Sequence, residues 1–255
     1  MKLVQKPIGL LVFGDSHIYG VDPWDIPWTL RGLEELVYRA QYAVAPLVLL
    51  GSQKGDAATN LNFHRFLASN TNTVGGASIA EYLAGTGGCH TVETIWASIY
   101  AANKVRPTHA LIESMSTDLW TDDRTWTAVK ADIQTLISQI AAKDPAIKVV
   151  LATPHLLASG AELASRSAVR SAILAGEVAG VWKYWDRGGY TESMSVAGAA
   201  DDHPTIPADP TTLAAWSGVW SPQTIGVQWL AGGLFEALYQ RGLPTKAGEN
   251  WSGLS

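Results

Sequence analysis

Short apolar runs alternate along this chain with longer stretches in which apolar residues recur every three or four positions. The runs Ile8–Phe13, Leu47–Leu50, Ala110–Glu113 and Ile147–Thr153 predict buried strands, and Gly180–Trp185 predicts a fifth. A short run at Thr71–Val74 is a further strand candidate. Between them, Thr29–Tyr42, Val92–Asn103, Thr125–Ala142 and Ala161–Val178 carry helical spacing. A last helix is expected over Ile225–Gln240, with Gly242 and Pro244 as stop signals. Apolar strands alternating with amphipathic helices predict an α/β fold whose parallel sheet is covered on both faces. Gly188–Pro210, rich in Gly, Ala, Ser, Asp and Pro, reads as a long loop of the kind that often carries function. No internal repeat, low-complexity tract or domain boundary stands out, so a single domain over residues 1–255 is expected.

Composition narrows the function. Of 255 residues, 47% are hydrophobic and 16% charged, which suffices for a sizeable core and argues against global disorder. The net charge of -5, with no basic run, argues against a nucleic-acid partner. Cys89 is the one cysteine, so neither an intramolecular disulfide nor a cysteine-based zinc site is expected. The start has a basic flank and an apolar stretch, but Pro7 interrupts it and no small-residue cleavage site follows, so it reads as the first strand rather than a signal peptide. No run reaches the ~18 apolar residues of a membrane span, and a soluble chain is expected. Eleven tryptophans against 4 phenylalanines favour some contact with flat ligands such as sugar rings, although a core position is the commoner fate of any one Trp.

The first strand leads directly into candidate chemistry. "LLVFGDSHIYG", Leu10 to Gly20, breaks from an apolar run into Gly14-Asp15-Ser16. Ligands of open parallel sheets bind beyond the carboxyl ends of the strands, where Ser16 falls. Ser16 is therefore a candidate nucleophile, its alternative role being a helix cap. Three other segments bear on the choice. "NTVGGASIAEYL" runs from Asn72 to Leu83, "RPTHALIESMSTDLW" from Arg106 to Trp120, and "DDHPT" from Asp201 to Thr205.

In this order the segments resemble the blocks of the SGNH or GDSL hydrolase superfamily of serine esterases and lipases, over most of the chain. The resemblance implies a three-layer α/β/α sandwich around a central, mostly parallel five-stranded sheet of the flavodoxin-like kind. It implies Ser16 as nucleophile, His203 as general base and Asp201 as the acid that orients it, with Asp202 as second choice. The oxyanion hole would use the backbone N–H groups of Ser16 and Gly76, with Thr117 or Ser116. Asp15, His17 and Trp120 are the candidate substrate contacts. No metal or organic cofactor is implied.

Two blocks depart from the family pattern. Where the family has Gly-x-Asn-Asp, this chain has Met115, Ser116, Thr117 and Asp118. An oxyanion-hole donor is worth roughly 10²–10³ in rate. A hydroxyl at Thr117 or Ser116 has shorter reach than the missing amide. Three positions before His203 stands Ala200 rather than an acid, but in an extended segment Asp201 faces the same side as His203. A rival register through "SGVWSPQTIGVQWL" would set Ser217 and Trp220 at the acid and histidine positions, and His155 is the reserve base. Three functions remain open: a short-chain, O-acetyl-type esterase acting on a small-molecule or polysaccharide ester, an acyltransferase using the same site, and a glycan-binding module with a decayed site.

Overall fold

The first strand, IGLLVF, has every side chain buried, a pattern tolerated only where a sheet is covered on both faces. The computed structural model describes residues 8–14, 47–50, 77–102, 106–154, 156, 160–188, 234, 237 and 238. Five strands, β1 (Ile8–Phe13), β2 (Leu47–Leu50), β3 (His109–Ile112), β4 (Lys148–Ala152) and β5 (Lys183–Trp185), lie in the order β2-β1-β3-β4-β5. All four pairings are parallel. Ile8 stands opposite Leu47, Leu10 opposite His109, His109 opposite Lys148, and Val150 opposite Lys183. This is the expected five-stranded α/β sheet.

Among the described residues four helices accompany it: α1 (Ile79–Ala84), α2 (Val92–Ala102), α3 (Trp126–Lys143) and α4 (Gly160–Leu174). A single π-helical turn, Thr117–Thr121, follows β3. Leu11, Phe13, Ala110, Ile112, Val149 and Leu151 project from one sheet face into a core that contains Tyr82, Ile95, Ile133 and Ile173, one from each helix. Within α3 the buried residues Val129, Ile133, Leu136, Ile137 and Ile140 form one stripe at helical spacing. On the other face Leu10, Val12, Leu111 and Val150 are at most 1% exposed. Leu234, Ala237 and Leu238, from the predicted last helix, are also buried.

Several boundaries differ from the sequence reading. The strand expected at Ala110–Glu113 starts one residue earlier, because His109 pairs with both Leu10 and Lys148. It stops at Ile112 because the N–H groups of Glu113 and Ser114 converge on one acceptor, the Phe13 carbonyl, at 2.8 and 3.2 Å. The strand at Ile147–Thr153 is Lys148–Ala152, and that at Gly180–Trp185 shrinks to Lys183–Trp185. The helices expected at Val92–Asn103 and Thr125–Ala142 run over Val92–Ala102 and Trp126–Lys143, Thr125 serving as the N-cap of the latter. The helix expected at Ala161–Val178 ends at Leu174, where Gly176 takes the left-handed conformation, φ 84°, and returns its N–H to the Ile173 carbonyl at 2.9 Å. The Thr29–Tyr42 helix, the Thr71–Val74 strand and the Gly188–Pro210 loop beyond Gly188 lie outside the described residues.

Candidate active site at the carboxyl ends of the strands

Gly14 follows β1, and three tethers gather other segments around it. Tyr82 of α1 meets Phe13 edge-to-face, centroids 5.5 Å apart, and its hydroxyl donates to the Gly14 carbonyl at 2.8 Å. Beyond β3, the Ser114 hydroxyl donates to the Ala77 carbonyl at 2.5 Å. Asp118, wholly buried, accepts from the Ile79 N–H at 2.7 Å. Ser78 is the N-cap of α1, and its hydroxyl accepts from the Glu81 N–H at 3.2 Å, while the Glu81 carboxylate accepts from the Ser78 N–H at 2.9 Å. Thus two of the first three amides of α1, those of Ile79 and Glu81, are satisfied by side chains, one of them 39 positions away in sequence.

Asp118 also meets Arg124, whose Nη1 donates to Oδ1 at 2.5 Å while its other arm donates to Asp132 at 2.6 Å. Burial pushes the Asp118 carboxyl above the ordinary carboxylate value; the amides and the guanidinium pull the other way. The hydrogen bond to Asp132, then that to Asp118, raises the Arg124 value.

The other half of the rim is polar and closed. Glu113 and Arg187 form an ion pair with side chains 0% and 2% exposed. Arg187 Nε also donates to the Thr153 carbonyl at 3.2 Å. The Thr153 hydroxyl donates to Asp186 at 3.0 Å and accepts from the Gly188 N–H at 2.9 Å. Arg170 of α4 grips Asp186 with two parallel bonds, 2.8 and 2.7 Å. A Cβ on Gly188 would lie 2.8 Å from the Pro154 carbonyl oxygen, so only glycine fits there. The chain therefore leaves β5 from a fixed position.

Of the residues singled out in sequence, Asp15, Ser16, His17, Gly76, His155, Asp201, Asp202 and His203 lie outside the described residues, as do Ser217 and Trp220. Thr117 opens the π-helical turn and is half-buried. The Ser116 hydroxyl is buried and has no hydrogen-bond partner among the described residues. Met115 is 0% exposed and belongs to the core. Trp120 is half-buried; its indole N–H reaches Ser165 at 3.4 Å and the Arg166 guanidinium lies 4.2 Å from its ring centroid. Cys89 is buried, and burial followed by the charge of Glu81 pushes its thiol up to about 12, so it is no nucleophile.

Sequence reasoning missed Glu113, Arg187 and the structural role of Asp118. A glutamate closing an apolar run and an arginine opening the glycine-rich segment were the available signals.

No family profile matches the sequence, and no curated protein matches it. Solved structures do. The Clostridium thermocellum family 3 carbohydrate esterase is 15% identical, with TM-score 0.53 over 92% of this chain and 100% of that one. An acetyl esterase mutant crystallised with acetate ion is 14% identical, with TM-score 0.52 over 89% of this chain and 94% of that one. A GDSL-like lipase from Parabacteroides merdae is 15% identical, with TM-score 0.53 over 92% of this chain and 97% of that one. The fold is the α/β/α fold of SGNH hydrolases.

Proposed function

We propose that this chain is a serine esterase that removes short acyl groups, O-acetyl above all, from a carbohydrate. One observation carries the reading. The segments bearing three of the four blocks are tied together at one rim, by Tyr82 to Gly14, Ser114 to Ala77 and Asp118 to Ile79. Ser16 is two residues beyond Gly14, and Gly76 directly precedes Ala77. The names of the similar structures, two of them esterases of carbohydrate or acetyl groups, support the substrate class.

In this mechanism Ser16 attacks the ester carbonyl. His203 takes its proton and returns it to the departing alcohol, and Asp201 orients the imidazole. The N–H groups of Ser16 and Gly76, with the hydroxyl of Thr117 or Ser116, hold the oxyanion. Water then releases the acyl group from Ser16. Asp15, His17 and the partly exposed ring of Trp120 contact the substrate.

The test is hydrolysis of 4-nitrophenyl acetate and of an acetylated oligosaccharide by the native chain, Ser16→Ala, His203→Ala and His155→Ala. Loss in Ser16→Ala and His203→Ala, with activity kept in His155→Ala, is the expected result. Activity kept in Ser16→Ala would end the proposal. The buried Met115 and the missing Asn at 117 favour the glycan-binding module as second reading, and glycan binding without hydrolysis by the native chain would select it.

A further inference from the structure

The segment that follows β3 is held from two sides. On one side Asp118 accepts from the Ile79 N–H of α1 at 2.7 Å. On the other, Trp120 reaches α4. Its indole N–H donates to the Ser165 hydroxyl at 3.4 Å, and the Arg166 guanidinium lies 4.2 Å from its ring centroid. This part of α4 belongs to the carboxyl rim, because Arg170, one turn on, grips Asp186 just beyond β5. The strand order β2-β1-β3-β4-β5 changes direction between β1 and β3, and ligands of such sheets bind in the crevice at that point. One π-helical turn, Thr117–Thr121, carries both the candidate oxyanion donor Thr117 and Trp120. Such turns are rare and occur frequently at functional sites.

Arg166 is built to hold this ring rather than to bind a ligand itself. Its side chain is 5% exposed. Nε and Nη2 both donate to Glu162, one turn earlier on α4, at 2.9 and 2.5 Å. The guanidinium therefore lies over the indole with its charge already paired. A cation over an aromatic ring attracts it through the ring quadrupole, more strongly when water is excluded. Trp120 also packs against the hydrophobic core, yet it is only half-buried. Core contact, hydrogen bond and stacked guanidinium thus fix the orientation of an indole that still presents surface to solvent.

We propose that Trp120 is the platform for a neutral pyranose unit of the substrate, and that Arg166 is the residue that positions it. The exposed part of the indole takes the apolar C–H surface of the sugar. The sugar is neutral because the cation at the ring is paired with Glu162. Arg166 does not touch the substrate; it acts by holding the ring. The inference rests on the carbohydrate esterase reading for its ligand. It adds the residues that separate an acetylated sugar from a simple acetyl ester.

The experiment compares kcat/KM on an acetylated xylo-oligosaccharide with kcat/KM on 4-nitrophenyl acetate, which has no sugar. The proteins are the native chain, Trp120→Ala, Trp120→Phe, Arg166→Met and Arg166→Lys. The ratio of the two values is expected to fall about tenfold in Trp120→Ala, through KM for the oligosaccharide, and to recover in part in Trp120→Phe. In Arg166→Met it is expected to fall about fivefold. Arg166→Lys keeps a charge for Glu162 but loses the planar stack; a fall of about threefold is expected, and this variant carries the test if Arg166→Met does not fold. A merely structural role lowers both substrates alike and leaves the ratio at its native value. A native ratio in Trp120→Ala would overturn the platform, and a native ratio in both Arg166 variants would overturn the positioning role. Calorimetric titration of the same oligosaccharide into Ser16→Ala, alone and combined with Trp120→Ala or Arg166→Met, reads binding without turnover. Affinity is expected to fall about tenfold and about fivefold in the combined variants. Equal affinity in all three proteins, no binding, or tighter binding of a galacturonate oligomer would overturn the inference. If the native chain hydrolyses neither ester, the esterase reading fails and these titrations alone decide the platform.

Discussion

Replacing Asp118 by alanine should be among the most damaging single changes in this chain. The carboxylate is 0% exposed and accepts from Ile79 at 2.7 Å and from Arg124 at 2.5 Å. Alanine leaves the first amide of α1, that of Ile79, without an acceptor. Loss of a helix N-terminal acceptor costs about 1 kcal/mol. A buried donor left unsatisfied costs about 1–3 kcal/mol. Arg124 keeps Asp132 at 2.6 Å and is partly exposed, so no stranded cation adds to the sum. The expected loss for Asp118→Ala is about 2–4 kcal/mol. Asp118→Asn retains one carbonyl oxygen for Ile79 but turns an NH₂ toward Arg124, and about 2 kcal/mol is expected. Urea unfolding reads both, as a shift in midpoint at constant slope. A loss within about 0.5 kcal/mol for Asp118→Ala, the range of ordinary surface changes, would refute the reasoning.

Three further outcomes are expected. Glu113→Gln withdraws the carboxylate from the buried Arg187 and should cost about 3–5 kcal/mol in urea unfolding, whereas Glu113→Gln with Arg187→Met should cost less than the single change; the opposite order would dismiss the pair as a stabilising unit. His109 is held neutral, with a folded value of about 4 against the ordinary 6.5, so the unfolded chain binds more protons between these values. Stability is therefore full above pH ~6.5 and falls by up to about 3 kcal/mol as pH drops toward 4; His109→Gln should flatten that slope, and an identical slope in both proteins would count against it. Under the proposed mechanism, Thr117→Asn adds an amide donor to the oxyanion hole and should raise kcat on 4-nitrophenyl acetate about tenfold or more, with KM little changed; an unchanged kcat would count against a place for residue 117 in that hole.

How far the sequence was legible depended on the range of each interaction. β1 and β2 match their expected bounds to the residue, because buried apolar runs mark strands without reference to anything distant. The edges of β3, β5 and α4 moved by rules that need a neighbour or a backbone angle: the shared Phe13 carbonyl, the left-handed Gly180 at φ 81°, and Gly176 at φ 84°. Met115 shows the limit of reading by motif. Opposite the family's glycine it looks like a damaged site, yet its side chain is 0% exposed in the core, so its loss of match is a packing choice as much as a catalytic one. The polar contacts escaped entirely. Glu113 and Arg187 stand 74 positions apart, and Asp118 and Ile79 stand 39 apart, with no periodicity to announce either pair. Such pairs form because parallel strands deliver their carboxyl ends, and the polar residues that terminate them, to a single rim. The physics that makes the strands readable one by one also hides the rim, since a residue at a strand end says only that a run has stopped and not which other end it will meet.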